Sequence, residues 1–373
     1  MSTHRYALPI ETTQWNIPGH QEAVFNWEYD GGRGRLLALY EKGKSKQWNA
    51  QTRIDWSQEI DFEDQAALPD EVVPIYGSSE WDRLSRAGKD ELRHHYGAWM
   101  TSQFLHGEQG ALVCAAKIVQ TVPDVDAKFY AATQVMDEAR HVEAYAKYIN
   151  DKLELAYPIN PHLQSLLDQT ITDSRWDMTY LGMQVMIEGV ALAAFSMARD
   201  FTGHPLARSL NAYVMQDEAR HVAFGTLALK DAYAQLSDAE RLEREEFVVE
   251  ASYLLKDRFL AEEVWENLGL DVAACMEFVD RAQVMQEFRK ALFSRVVPTV
   301  KTIGLWGPKV QAAFVDMGVI AFQDVDVEEL SALDDQIAEE MERALAAVRD
   351  DGTVGDGNGR GAEIATTIAA ATT

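Results

Sequence analysis

The string Asp-Glu-Ala-Arg-His-Val occurs twice in this chain, as residues 137–142 and again 80 residues later as 217–222. A further Glu stands 30 residues before the Glu of each copy, Glu108 in HGEQGAL and Glu188 in MIEGVAL. Glu and His three residues apart on a helix share one face, so Glu138 with His141 and Glu218 with His221 each direct two donors at one point. Two such helices, with two more each giving one Glu, build a carboxylate-rich site for two metal ions in the centre of a four-helix bundle. Glu108, Glu138, His141, Glu188, Glu218 and His221 are therefore read as metal ligands. Four carboxylates against two divalent cations come out near neutral, which is what a buried cluster needs. Oxygen donors with imidazole suit iron or manganese, and no cysteine cluster stands for iron–sulfur or structural zinc.

The rest of the repeat has work of its own. A histidine that binds metal through one ring nitrogen usually donates the other N–H to a carboxylate. Asp137 and Asp217 each precede a ligand Glu, and a pseudo-twofold pairing joins Asp137 to His221 and Asp217 to His141. Arg140 and Arg220 are placed to keep those aspartates ionised. Both copies lie among apolar residues (Tyr130, Val135, Met136; Tyr213, Val214, Met215), and Glu188 sits in GMQVMIEGVALAAF, where an unpaired carboxylate would be costly.

These ligands need long antiparallel helices. At about 1.5 Å per residue, a separation of 30 fits a helix, a short reversal and a return. TVPDVDAK (121–128) and RDFTGHPLA (199–207) carry the Pro, Asp and Gly of such reversals. Four long helices are expected over 88–120, 125–152, 173–200 and 205–235, with a shorter one over 161–170. Another begins at a Ser237 cap and runs over 237–268, followed by helices near 271–294, 307–318 and 327–349. Sustained β-branched alternation is absent, so the chain reads as all-α, a four-helix bundle with added N- and C-terminal helices. The division is an N-terminal arm and helix over 1–87, a dimetal core over 88–235, C-terminal helices over 236–349 and a disordered tail over 350–373.

The E…DEARH…E…DEARH pattern resembles the ferritin-like di-iron carboxylate superfamily. The DE-x-RH form is similar to bacterial multicomponent monooxygenase hydroxylases. LYEKGKSKQWNAQTRIDWS (39–57), WDRLSRAGKDEL (81–92) and QFLHGEQGAL (103–112) resemble the ribonucleotide reductase small subunit and the related ligand-binding oxidases. The resemblance implies a cofactor of two iron ions, Fe²⁺/Fe³⁺, with Mn/Fe an alternative. In the reductase subunit it also implies a radical tyrosine four residues after the first His, here Tyr145. There a Trp passes electrons through the Asp beside the last ExxH, here Trp48 and Asp217. Each branch also lacks a signature. The tail has no aromatic anchor, Ala111 and Met183 stand where a Val–Tyr cross-link would form, and Leu192 replaces the monooxygenase Thr.

The expected activity is an O₂-activating oxidase or monooxygenase of an apolar or aromatic small molecule. Ala111, Leu112, Ala115, Gln184, Ala191, Leu192, Phe195 and Phe104 are the expected cavity wall. Electrons come from a partner reductase or ferredoxin, since no flavin or nicotinamide fingerprint is present. The rivals are a tyrosyl-radical-generating reductase subunit and, last, a ferroxidase or iron-storage protein. A formal charge of −26 argues against nucleic-acid or acidic-lipid binding. Two cysteines, no signal segment and no run of about 20 apolar residues point to a cytoplasmic protein, with no membrane span. A homodimer follows from the resemblance alone. His94, His95, His106 and His204 read as polar surface or loop residues.

Overall fold

Helix starts in this chain are written in its caps. Ser85 accepts from the Gly88 amide and opens α2 (Arg86–Thr121), after α1 (Gly34–Ser45). Val122 and Pro123 end α2, since Pro cannot continue a helix and restricts the residue before it. Asp124 then accepts from the amides of Asp126 and Ala127 to open α3 (Val125–Tyr148). Asn160 caps α4 (Pro161–Thr172), which has Pro at its first position. Next comes α5, a continuous helical stretch (Trp176–Phe201), and then α6 (Pro205–Tyr233), again opened by Pro. Ser237 and Glu240 form a reciprocal capping box at the start of α7 (Asp238–Asp257). The computed structural model describes residues 6–8, 13–29, 33–61 and 68–330, with scattered positions from 332 to 343.

The architecture is all-α: among the described residues there is no strand, only a single bridge between Tyr6 and Ala156. α2 packs along α3 and α5 along α6, the two hairpins that the repeat requires. Together they form a four-helix bundle, with α1 laid across α3 and α6 and the helices after Tyr233 added outside it. Gly43 permits the close approach of α1, since a Cβ there would lie 3.2 Å from the Thr133 hydroxyl.

Two expectations change. The helix foreseen over 237–268 stops at Asp257; a 3-10 turn (Arg258–Leu260) and Ala261 at φ +53° precede a short helix (Glu262–Asn267). No Gly or Pro marks this break, so local sequence signals miss it. The stretch Trp176–Phe201 is long and apolar enough by length and composition to cross a membrane, but Gln184 and Glu188 interrupt it and 72% of its most apolar window is buried within the protein. Its apolar character is that of a central bundle helix, buried along residues 177–190. His94, His95, His106 and His204 are half-buried, and each places a ring nitrogen against a partner: the Leu153 carbonyl, the Tyr157 hydroxyl, the Tyr157 carbonyl and the Glu59 carbonyl. The helix foreseen over 327–349 and the tail fall largely outside the described residues.

Candidate metal centre

Within α5 the backbone does not run as a uniform α-helix. Residues Leu181–Ile187 form π-helical turns, and the α-helix resumes at Glu188. A π turn inserts an extra residue into the winding and rotates the residues after it, a device common at functional sites. Here it sets the direction of Glu188. α2 carries Glu108, α3 carries Glu138 and His141, and α6 carries Glu218 and His221. All six side chains are buried, from 0% exposure for Glu138 and both histidines to 5% for Glu108.

The donors fall into two overlapping groups. Glu108, Glu138, His141 and Glu218 each offer an atom within 4.8 Å of the others, as do Glu138, Glu188 and His221. Glu138 belongs to both. Both histidines point Nδ1 into the cluster: His141 Nδ1 is 3.0 Å from Glu108, 3.3 Å from Glu138 and 3.3 Å from Glu218. His221 Nδ1 is 3.1 Å from Glu138 and 3.4 Å from Glu218. Glu138 and Glu218 thus lie between the two imidazoles, with Glu108 on one side and Glu188 on the other.

Much of this polarity is unpaired. Glu138 Oε2, Glu188 Oε2, both Glu218 carboxylate oxygens and His221 Nδ1 are buried without a hydrogen-bond partner. Buried polar atoms are normally satisfied, and a cluster of orphans around one point fits cations. A donor set of four carboxylates and two imidazoles can hold two divalent ions of the iron or manganese type. In the absence of cations, protons take their place. Burial, then the neighbouring Glu218, pushes Glu108 and Glu188 well above the usual carboxylate range. Burial opposes charge on His141 and His221, but Glu108 beside the first and Glu138 beside the second outweigh it and raise both. Glu138 is held low despite its burial, mainly by His221 and His141.

Behind the histidines lies a charged network. His141 Nε2 is 3.0 Å from Asp217 Oδ2 and His221 Nε2 is 3.3 Å from Asp137 Oδ2, each imidazole meeting the aspartate of the other half. Arg140 donates to Asp137 at 2.5 Å and to Asp217 at 2.8 Å; Arg220 donates to Asp217 and sits 3.7 Å from Asp137. Burial works against ionised Asp217, yet Arg220, His141 and Arg140 hold its carboxyl far below the usual range. Trp48, on the loop after α1, donates its indole N–H to Asp217 at 2.8 Å and stacks under Arg140 at 4.9 Å. It also lines an open surface groove of about 570 Å³, together with Tyr40, Phe129 and Met136. Tyr145 is buried, and its hydroxyl donates to Asn211 Oδ1 at 2.9 Å.

Three residues escaped sequence reasoning. Gln134 Nε2 donates to Glu138 at 3.1 Å and to Glu188 at 2.8 Å. Its place four before Glu138 on one helix face was a usable signal, but Val214 holds the matching place in the second half, so the repeat hid it. Gln47 links Arg140 to Asp137. Arg258 lines the cavity beside the cluster, where an apolar wall was expected. That cavity is narrow, about 30 Å³, and Phe104, Ala111, Ala191 and Phe195 line it as expected. Leu112, Ala115, Gln184 and Leu192 do not; Gln184 instead donates to Gln134.

Residues 33–304 match the family described as P-aminobenzoate N-oxygenase AurF. No curated protein sequence matches the chain. Among solved structures, a variant of an R2-like ligand-binding oxidase with an anaerobically reconstituted Mn/Fe cofactor is 17% identical, with a TM-score of 0.46 over 74% of this chain and 96% of that one. Dimanganese(II)-NrdF of Streptococcus sanguinis is 15% identical, with a TM-score of 0.46 over 79% of this chain and 99% of that one.

Proposed function

This chain belongs to the P-aminobenzoate N-oxygenase AurF family of di-iron oxidoreductases, and from that membership we propose an oxygenase acting on an aromatic small molecule, aromatic amines included. Its ligands are Glu108, Glu138, His141, Glu188, Glu218 and His221. The observation that carries this reading is the set of orphaned donors, buried between two imidazoles that both present Nδ1. When bound, the two irons supply O₂ activation and redox capacity that no side chain has.

The remaining work falls to the protein. Asp217 and Asp137 accept from the outer nitrogens of His141 and His221, which keeps each Nδ1 unprotonated and aimed inward when a cation is present. Arg140 and Arg220 keep both aspartates charged, so the acceptors do not pick up protons themselves. Gln134 steers the Glu188 and Glu138 carboxylates. Phe104, Phe195, Met183 and Ile187 form a wall that admits little water; an aromatic substrate enters only as these side chains turn aside.

Electrons come from a separate reductase or ferredoxin through Trp48. Its indole is half-buried in an open groove, and its N–H is hydrogen-bonded to Asp217, which in turn contacts His141. A homodimer is the assembly we infer from the family resemblance, and a chain with only Cys114 and Cys275 fits a reducing, cytoplasmic compartment. The decisive experiment is anaerobic Fe²⁺ titration followed by air and 4-aminobenzoate with a chemical reductant. We expect about two irons per chain, lost in Glu138→Ala, and substrate-dependent O₂ uptake; no bound iron would sink the reading. The rival, a radical-storing subunit, rests on Tyr145. A sharp tyrosyl resonance abolished by Tyr145→Phe would replace the oxygenase with that radical generator.

A further inference from the structure

We propose that the N-terminal arm of one copy seats Phe25, Trp27 and Tyr29 in the groove between α1 and α3 of a second copy, and that the exchange is reciprocal. The proposal gives a surface to the homodimer inferred above and does not depend on the oxygenase chemistry. Residues 13–29 form no helix or strand. Phe25, Trp27 and Tyr29 are 81%, 78% and 68% exposed, the three most exposed large apolar side chains among the described residues. The fourth is Met136, on the groove, at 63%. The arm is held in place by its own polar groups. The Val24 N–H donates to the Gln120 carbonyl at 2.8 Å and Asn26 Nδ2 to the Pro123 carbonyl at 2.8 Å, which pins the arm to the reversal between α2 and α3. The Phe25 and Trp27 rings meet edge to face at 6.4 Å, so they share one side. Adjoining aromatic rings held out in water mark a surface that another surface covers.

The groove has the matching chemistry. Phe129, Ala132 and Met136 of α3 line it with Tyr40 and Lys44 of α1, and its volume of about 570 Å³ is room for aromatic side chains. The Tyr40 and Phe129 rings lie 5.7 Å apart and give it an aromatic floor. Charge favours a second copy as the occupant. Residues 20–30 carry Glu22, Glu28 and Asp30 and no Lys or Arg, whereas residues 33–53 carry six Lys or Arg against Glu41 alone. Lys44 is exposed on the rim, and its 2.6 Å pair with Glu41 is a surface pair of small worth that an arriving carboxylate can share. Two chains of net charge −26 repel as wholes, and setting the acidic arm against the basic segment offsets that repulsion where they meet. The area also suffices. A buried Phe, Trp or Tyr covers about 150–250 Å², so two exchanged arms with the surface beneath them reach the roughly 1,200–2,000 Å² of a stable interface. Two identical arm-to-groove contacts make an isologous twofold pair. The arm takes the Tyr40–Phe129–Met136 half of the groove. Arg140, one turn beyond Met136, stacks on Trp48 at 4.9 Å, so the Trp48 end stays open to an electron donor.

The test is sedimentation velocity on the full chain at micromolar concentration, with wild type, Trp27→Ser and Met136→Glu run alone and the two variants run mixed. The wild type should sediment as a dimer, and each variant alone should dimerise roughly tenfold or more weakly. Mixed in equal amounts, the two variants should regain dimer, because the intact arm of the Met136→Glu chain meets the intact groove of the Trp27→Ser chain. Only an arm-to-groove contact between copies predicts that recovery. Both substitutions fall on exposed side chains, and far-UV dichroism with iron content on the same samples confirms the fold; Phe25→Ser serves if Trp27→Ser does not fold. A monomeric wild type overturns this interface and the homodimer together. A wild-type dimer that neither variant weakens overturns the arm exchange and leaves the homodimer. Weakening by one variant alone, or by both without recovery on mixing, also overturns the exchange, since arm then packs on arm or groove on groove.

Discussion

Replacing Asp217 by Asn tests the coupling between the charged network and the metal cluster at almost constant shape. Asp217 is 1% exposed and is contacted by the Trp48 indole at 2.8 Å, Arg140 at 2.8 Å, His141 Nε2 at 3.0 Å, and Arg220. The amide keeps one accepting oxygen but removes the negative charge that faces two guanidinium groups. Loss of one partner from a buried ion-pair network costs about 3 kcal/mol or more. Loss of the carboxylate behind a ligand histidine lowers metal affinity by about 10- to 100-fold, or about 1.4–2.7 kcal/mol. Asp137→Asn should do less, because His221 Nε2 is 3.3 Å away and Arg220 is 3.7 Å away, while Gln47 and Arg140 hold mainly its other oxygen. The two variants also address different metals, Asp217 the Glu108–His141 side and Asp137 the Glu188–His221 side. Anaerobic Fe²⁺ competition against a chelator, analysed as two binding steps, resolves this. Equal losses in both variants, or unchanged affinity in Asp217→Asn, would refute the argument that these aspartates orient the histidines.

Metal-free protein should lose stability as pH rises through neutral. The folded-state values of Glu108, Glu188, His141 and His221 are all raised, so their stabilising protonation is complete below the ordinary values and is lost as pH climbs through the raised ones. Iron-loaded protein should not show this fall, and iron uptake should release protons; melting curves of both forms at about pH 6 and about pH 8 check the sign. Trp48→Phe should keep two irons but slow reduction of the diferric site by an external donor, as followed by stopped-flow absorbance; an unchanged rate would exclude this route. Gly225→Ala would place a Cβ 2.5 Å from Gln184 Cβ, so overpacking of about 1–3 kcal/mol is expected in denaturant melts. It should also loosen the Gln184–Gln134 contact next to Glu138, and a wild-type midpoint would contradict that packing.

The features legible in the chain alone are local ones. Glu and His at i and i+3 share a helix face whatever surrounds them, so the repeat, the 30-residue offsets and the reversals at Pro123 and Pro205 already specified two helical hairpins and six converging donors. The Ser237 cap was legible for the same reason, and the caps at Ser85, Asp124 and Asn160 lie at or near the helix starts expected at 88, 125 and 161. The pairing of each histidine with the aspartate of the other half could be stated from the pseudo-twofold repeat, and the structure brings those atoms to 3.0 Å and 3.3 Å.

Features that depend on which surfaces meet arise only once the helices are packed. The π turns before Glu188 have no local signature in LGMQVMI; they arise where the buried helix must pass its neighbours and still present Glu188 inward. Gln134 and Gln47 are ordinary polar residues until α5 and the loop after α1 are brought against α3. The cavity wall was only half legible, because ligand-face spacing locates a stripe on one helix but not the element that closes over it. Arg258 belongs to such an element, a break in α7 with neither Gly nor Pro to announce it, and its place on the cavity wall is a property of the folded interior alone.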